Sequence, residues 1–275
     1  MQGEKIHKLL AAAGIGSRRE IETWIHAGRV VVNGEQAHIG QRIASTDRVE
    51  VDGRAVPLRA TITPEIIVLN KPGGVVCSRN DEEGRPTIFD TLPPLRHGRW
   101  ISIGRLDMQT TGLLLLTNDG ALAHKMMHPS TGLDREYAVR INAELEDDEL
   151  ALLMQGVDVE GETLRFSDIR FYDGSGRNFW YHVVLMEGKN REVRRLFEAI
   201  GCTVSRLKRV RYGPVILPSW LRQRHWAFMT VDDVHALYRL LHLPFTPPQG
   251  KPPKRGRVAK SSCLLPYPAL ESKQR

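Results

Sequence analysis

Gly104-Arg105-Leu106-Asp107-Met108-Gln109-Thr110-Thr111-Gly112-Leu113-Leu114-Leu115-Leu116-Thr117-Asn118-Asp119-Gly120 is the densest stretch of this 275-residue chain. An apolar strand, Trp100 to Ile103, delivers one carboxylate, Asp107, into a turn rich in threonine and glycine, and a second apolar strand, Gly112 to Leu116, follows at once. An aspartate in such a turn commonly accepts hydrogen bonds from backbone amides. Spacing therefore leaves both a structural and a catalytic reading of Asp107 open.

Around this stretch the pattern alternates between the two periodicities. Upstream, Glu65-Ile66-Ile67-Val68-Leu69 reads as a strand that runs into Asn70-Lys71-Pro72-Gly73-Gly74. Downstream, helical spacing near residues 146–155 and 190–200 and the run Val183-Val184-Leu185 complete an α+β domain. Its strand order does not follow from spacing. The first 60 residues form a separate unit: Ile6, Leu9, Leu10 and Ala13 recur at helical spacing, and Gly14-Ile15-Gly16 breaks that helix. Ser17 and Glu20 match a capping box for a second helix, with Ile21, Trp24 and Ile25 on one face and Ala27-Gly28 at its end. Arg29 to Val32 then reads as a strand with Asn33-Gly34 as a tight hairpin turn, and Arg48 to Val51 as a further strand. The expected division is residues 1–60, a catalytic unit at 61–245, and a basic tail at 246–275, whose six prolines predict disorder.

Charge is unevenly placed. Residues 188–224 carry ten Lys and Arg against two Asp and Glu, a net +8, and the tail carries seven against one, while the chain as a whole is only +7. Cations gain affinity by releasing counterions from phosphates, so this distribution fits a polyanionic partner better than a solvated surface would. In the 188–224 block the arginines alternate with apolar residues. Arg18 and Arg19 stand in the first turn of the second helix, where the helix dipole disfavours cations unless an anion is near. Three widely spaced cysteines with no CxxC argue against a disulfide framework or zinc knuckle, and no apolar run is long enough to span a bilayer. Without a signal-peptide pattern, a cytoplasmic location is expected. His124 and His128 stand at i, i+4 without a third metal ligand, and Gly174-Ser175-Gly176 reads as a hairpin turn, so neither a metal site nor a phosphate-binding loop is expected.

The stretch from Gly104 to Gly120 resembles the catalytic motif of the RNA pseudouridine synthase family that includes the small-subunit synthase A and the large-subunit synthases B, E and F. Lys71-Pro72-Gly73-Gly74 is similar to the family's KPxG motif, which by that resemblance opens the catalytic domain and helps support the active-site wall, Arg135-Glu136-Tyr137-Ala138-Val139 to its basic-x-Tyr segment, and Glu187 to Phe197 to its third motif. Residues 4–55 resemble the S4 RNA-binding module, through the pieces SRRE and GRVVVNG. The resemblance implies a small S4-like RNA-binding module of mixed α/β character joined to a larger domain on a mixed, mainly antiparallel sheet. It implies Asp107 as the catalytic aspartate, Tyr137 packing on the target base, and Arg194, or alternatively Arg195, as the cation that pairs with Asp107. It implies RNA contacts from Lys5, Arg18, Arg19 and Arg29 in the S4-like module, and from Lys71, Arg105, Lys189, Arg191 and Arg195 in the catalytic unit. The wording SRLKRVRYG and SRNDEEGRPTIFD is most similar to the large-subunit members, which implies a uridine in a 23S rRNA stem-loop near the peptidyl-transferase centre as substrate. Asn70 departs from them, since an aromatic residue is common there. A monomer is expected, with 23S rRNA or its precursor as partner and no cofactor.

The chemistry suits those residue types. Isomerisation breaks the N1–C1′ bond, turns the base and joins C1′ to C5, with no net oxidation and no demand for a metal. A carboxylate that attacks the sugar must stay ionised, and burial raises its pKa unless a cation is close. The base must leave its stack, at a cost of about a few kcal/mol that an aromatic platform partly offsets. The competing reading is a non-catalytic RNA-binding assembly factor, which would use the same module and basic block but gains nothing from a carboxylate among phosphates. A metal-dependent RNA hydrolase would need a carboxylate and histidine cluster that the sequence lacks.

Overall fold

The computed structural model describes residues 3–58, 63–79, 81–95, 98–247 and 256–268. In the N-terminal unit β1 (Glu4–Lys5) leads into α1 (Ile6–Ala12) and α2 (Arg18–His26), followed by β2 (Val30–Val32), β3 (Glu35–Gln36), β4 (Arg42–Ile43), β5 (Val49–Val51) and β6 (Arg54–Val56). The capping box at α2 is formed, with the Glu20 amide donating to Ser17 Oγ at 3.1 Å and the Ser17 amide donating to Glu20 Oε2 at 2.6 Å. Asn33 and Gly34 both take positive φ, 52° and 91°, as a type I′ hairpin turn requires. Ile6, Leu10, Ile21, Ile25, Val30, Val32 and Val49 close a small core of their own.

The larger unit comprises β7 (Ile66–Lys71), β8 (Ile101–Ile103), β9 (Thr111–Thr117), α3 (Gly120–Met127), β10 (Arg135–Ile141), α4 (Asp147–Gln155), β11 (Val157–Val159), β12 (Glu162–Leu164), β13 (Asp168–Ser175), β14 (Asn178–Leu185), α5 (Glu192–Ala199), β15 (Val204–Tyr212), β16 (Val215–Ile216), β17 (Trp226–Phe228) and α6 (Val231–Leu240). One mixed sheet runs β13-β14-β10-β15-β9-β7-β17, with β16 beside β15 and β8 beside β9. Only β15 and β9 pair in parallel. The four leucines of β9 explain its unbroken apolar run: Leu114 and Leu116 enter the core under α4 and α5, whereas Leu113 and Leu115 enter the one under α3 and α6.

The β9–β15 seam is short, with two register pairs, Lys208 with Thr111 and Arg209 with Gly112. Gly112 has φ +98°, and a Cβ there would lie 2.2 Å from the Arg209 carbonyl oxygen, so only glycine lets the two backbones meet. Side chains extend the seam: Thr111 Oγ1 donates to the Leu207 carbonyl at 3.2 Å and Arg209 Nε to that of Leu113 at 2.8 Å.

The disorder expected from residue 246 onward needs correction for residues 256–268. Ala259 and Cys263 are buried, and Val258 and Leu264 form bridges to Phe228 and Val215. The Cys263 amide and Ser262 hydroxyl both donate to Asp233. Proline and charge dominated the composition, but the apolar residues Val258, Ala259, Cys263 and Leu264 find partners on α6 and β16–β17. Residues 248–255 and 269–275 of that tail lie outside the described residues.

Asp134 clamps this segment to the sheet. It accepts two hydrogen bonds from Arg211, at 2.7 and 2.8 Å, and one from the Tyr267 hydroxyl at 2.8 Å, while Glu136 accepts from Arg211 Nε at 2.9 Å. Burial opposes ionisation of Asp134, but Arg211 and Tyr267 outweigh it and hold the carboxyl below its ordinary range. Glu136 is likewise held down by His182 and Arg211 against its burial. Tyr267 is pushed up to about 12 by burial and by its bond to Asp134. Lowered carboxylate pKa values contribute stability that is present above about pH 4.5 and lost as pH falls through the folded values. Tyr267→Phe is expected to cost about 1 kcal/mol at neutral pH, and less once Asp134 is protonated. Urea denaturation at pH 7 and at successively lower pH checks this, and a cost near zero at pH 7 would dismiss the clamp.

Candidate active site

Asp107 is half-buried in the loop between β8 and β9, directly before the seam. That loop is held from beneath by Lys71, which is fully buried at the end of β7. Its ammonium donates to the carbonyls of Pro72, Asp107, Met108 and Thr110 at 3.0 to 3.2 Å. Burial pulls Lys71 below the ordinary lysine range, while Cys77 and Asp107 act in the opposite direction. The Gly74 amide donates to the Met108 carbonyl at 2.9 Å, so the KPGG segment and the Asp107 loop form one unit. With its three N–H groups shared among four carbonyls in a fully buried place, Lys71 is not placed to meet a phosphate and braces the loop from beneath.

A cleft of about 320 Å³ opens over Asp107, large enough for one nucleoside. Tyr137 enters from β10, opposite Arg209 of β15, where Val210 is the extra residue of a bulge in β15. Tyr137 is buried, and among the described residues nothing hydrogen-bonds its hydroxyl. Arg105, Lys189 and Arg191 line the mouth, Arg191 in the left-handed conformation at the start of α5. Arg194, one turn into α5, donates from Nη1 to the Val204 carbonyl at 2.9 Å, and its buried Nε has no partner. Burial and Arg191 pull its pKa down, whereas Asp107 and Glu198 favour its charge. Arg194 is thus close enough to feel the Asp107 carboxylate, although the two make no direct ion pair. Arg195 points elsewhere, pairing with Glu160 at 3.1 Å and Glu162 at 3.0 Å on the β11–β12 hairpin.

Among the lining residues outside the sequence assignments are Arg135, Arg209 and Tyr212. Arg135 Nη2 donates to the Tyr212 hydroxyl at 3.1 Å and its guanidinium lies over that ring. Arg209 is 3% exposed, stands opposite Tyr137 in the sheet, and has an unpartnered Nη2. The alternation in Ser205 to Tyr212 was the available signal, since period two puts residues 207 and 209 on Tyr137's face. With Arg105, Arg135, Lys189, Arg191 and Arg209 against Asp107 and Glu192, the cleft favours an anion.

In the N-terminal unit Lys5, Arg18 and Arg19 are exposed without an ion pair among the described residues. Arg29 makes a two-point pair with Asp52, at 2.8 and 2.6 Å, and covers the Trp24 ring. No group of three or more potential metal ligands occurs among the described residues, and none of their helices is long and apolar enough to cross a membrane. All three cysteines are free thiols. Asn70 is buried, donating to the Leu221 carbonyl at 2.7 Å.

A buried lysine thus braces a carboxylate loop, and an aromatic residue stands with that loop in a basic cleft, beside a separate small N-terminal unit. The chain belongs to the RNA pseudouridylate synthase family, whose model matches residues 65–199, and it carries an S4 domain over residues 4–49. It is 52% identical over 238 residues to the ribosomal large subunit pseudouridine synthase B of Pseudomonas aeruginosa, a match that covers 86% of this chain and 62% of that protein. To the protein of the same name from Escherichia coli it is 48% identical over 245 residues, covering 88% of this chain and 84% of that one. A crystal structure of a pseudouridylate synthase superposes with a TM-score of 0.60 at 27% identity, covering 86% of this chain and all of the other.

Proposed function

We propose that the chain isomerises one uridine of 23S ribosomal RNA to pseudouridine, in a stem-loop near the peptidyl-transferase centre, with Asp107 as the reacting carboxylate. The observation that carries this reading is Asp107 held by Lys71 at the floor of a basic cleft, facing Tyr137 and within the field of Arg194. The flipped uridine enters with its base against Tyr137 and its phosphates among Arg105, Lys189 and Arg191. Asp107 attacks or stabilises the sugar as the N1–C1′ bond breaks; the base turns, C5 bonds to C1′ as the Asp107 carboxylate leaves that carbon, the C5 proton leaves, and N1 takes one up. Arg194 adds positive charge beside Asp107, and Arg209 offers its free Nη2 to the phosphate or a carbonyl oxygen of the base. Mapping pseudouridines in 23S rRNA from cells with and without the gene tests the reading, which fails if no 23S site depends on it.

Tyr137 has two separable tasks, stacking and assistance with the C5 proton. Tyr137→Leu is expected to weaken capture of the base by about 1 to 3 kcal/mol, the worth of one base–aromatic contact. Tyr137→Phe is expected to bind normally and slow single turnover by roughly 10² to 10⁴, as loss of general-base help does. Wild-type rates in both variants would remove Tyr137 from the site.

For the S4 domain, Arg18→Ala with Arg19→Ala is expected to weaken RNA binding and to reduce the salt slope by about 0.9 per lost phosphate contact. Stability is expected to hold or rise, since two cations leave a helix N-terminus. Unchanged affinity with a lower Tm would show that the pair serves the fold.

A further inference from the structure

Among the described residues, one area of the great sheet is covered by no helix. On β15, β10, β14 and β13 the side chains of Leu207, Val139, Tyr181 and Ile169 face the core beneath α4 and α5. Their neighbours along each strand face the other way. There, the helices α3 and α6 with the C-terminal segment cover the half around β9 and β7, through Leu113, Leu115, Ile66 and Val68, and belong to a separate core. Neither core includes Arg206, Lys208, Arg140, Ala138, Trp180, His182 or Tyr172.

The strand registers order this face into rows. Arg206 stands beside Arg140, Arg140 beside Trp180, and Trp180 beside Asp173. In the next row Lys208 stands beside Ala138, Ala138 beside His182, and His182 beside Arg170. The bulge in β13 gives the intervening Tyr172 an extra place, where it is 73% exposed with its ring centroid 5.4 Å from that of His182. Four cations thus share these two rows with one carboxylate. Arg170 is paired with Asp168 and Arg140 lies over the Trp180 ring, but Arg206 and Lys208 make no ion pair among the described residues. The third row is different, with Arg211 taken up by Glu136 and Asp134.

Like charges set directly opposite in a sheet, as Arg140 and Arg206 are, cost stability unless an anion joins them. An exposed tyrosine, a half-buried tryptophan and a histidine beside that charge offer flat faces to unstacked bases. A protein partner would have to match the cations with carboxylates, and a duplex would keep its bases out of reach. We infer that this open sheet face, built from Arg206, Lys208, Arg140, Trp180, His182 and Tyr172, is a second RNA-binding surface that takes single-stranded RNA, on the opposite side of the sheet from Asp107. A ribosomal RNA that fills the cleft with one stem-loop then lays a flanking unpaired segment across this face. The continuity of the two sites rests on the RNA substrate proposed above, whereas the face itself does not.

The test uses the full chain and a fluorescein-labelled 20-nucleotide oligoadenylate, which has no uridine for Asp107 to act on. Arg206→Ala with Lys208→Ala is expected to weaken its binding at least tenfold and to lower the salt slope by about 0.7 per cation removed. Tyr172→Ala is expected to weaken it roughly tenfold, with Tyr172→Phe restoring it. All three proteins should turn over a minimal target stem-loop within twofold of wild type, and saturating stem-loop should leave oligoadenylate bound. Unchanged oligoadenylate affinity and slope overturn the inference. So does displacement by the stem-loop, a matching loss of stem-loop turnover, or a change in sedimentation showing that the face holds a second copy of the chain. If wild-type protein fails to convert the stem-loop, the 23S substrate reading fails and the oligoadenylate measurement still decides this one.

Discussion

Asp107→Asn is expected to bind RNA with wild-type affinity and to release no tritium from RNA labelled at uridine C5. Asparagine keeps the size and the polarity of the side chain, so the loop anchored by Lys71 through the Asp107, Met108 and Thr110 carbonyls should not move. What disappears is the negative charge that reacts with, or stabilises, the sugar as the glycosidic bond breaks. A nucleophile has no substitute elsewhere in the cleft: the other carboxylate that lines it, Glu192, is buried, and burial raises its pKa. The loss should exceed roughly 10³ in single-turnover rate, the scale on which removing a reacting group acts. Turnover within tenfold of wild type would end the assignment of Asp107 and favour the non-catalytic reading of the chain.

Lys71→Met should damage stability and rate together. Methionine fills the same volume, so the change isolates the charge and its hydrogen bonds. Four carbonyls within 3.2 Å of Nζ would lose their donor in a fully buried place, and hydrogen bonds to a charged group are worth about 1.5 to 3 kcal/mol each before relaxation. Because the loop can shift to recover some of them, a net cost of about 2 to 4 kcal/mol is expected from urea denaturation with an unchanged m value. That same shift moves Asp107, and a displacement near 1 Å can cost about a hundredfold in rate. Lys71→Arg should not rescue, since a planar fork cannot reach four acceptors gathered around one point. A variant with normal stability and normal turnover would show that the loop holds itself. A variant with normal stability and lost RNA affinity would instead return Lys71 to the phosphate-contact role that the motif resemblance suggested.

Local chemistry is what the amino-acid order settles here. Ser17 and Glu20 cap a helix, and Asn33-Gly34 turns a hairpin, because each acts through atoms a few residues away. The Gly104–Gly120 motif places a carboxylate between two strands for the same reason, and its similarity to one family supplied the chemistry. The sequence also marked the block at 188–224 as a footprint for a polyanion, but it gave one undivided charge. Pairing β15 with β10 on one side and β9 on the other splits that block: Arg209 goes into the cleft beside Tyr137, Arg206 and Lys208 to the open face, and Arg211 to the Asp134 clamp. Arg195 is spent on a hairpin 33 and 35 residues away in the chain, a partnership no motif announces. Resemblance leaves Lys71 both in a motif that supports the active-site wall and among the RNA contacts, until β9 and its preceding loop close over it and bury it. The tail reads as solvent-bound until α6 and β16 give its apolar residues something to bury against. In each case the deciding contact joins residues far apart in the chain, and the sign of its effect depends on burial, which a linear pattern of charges does not contain.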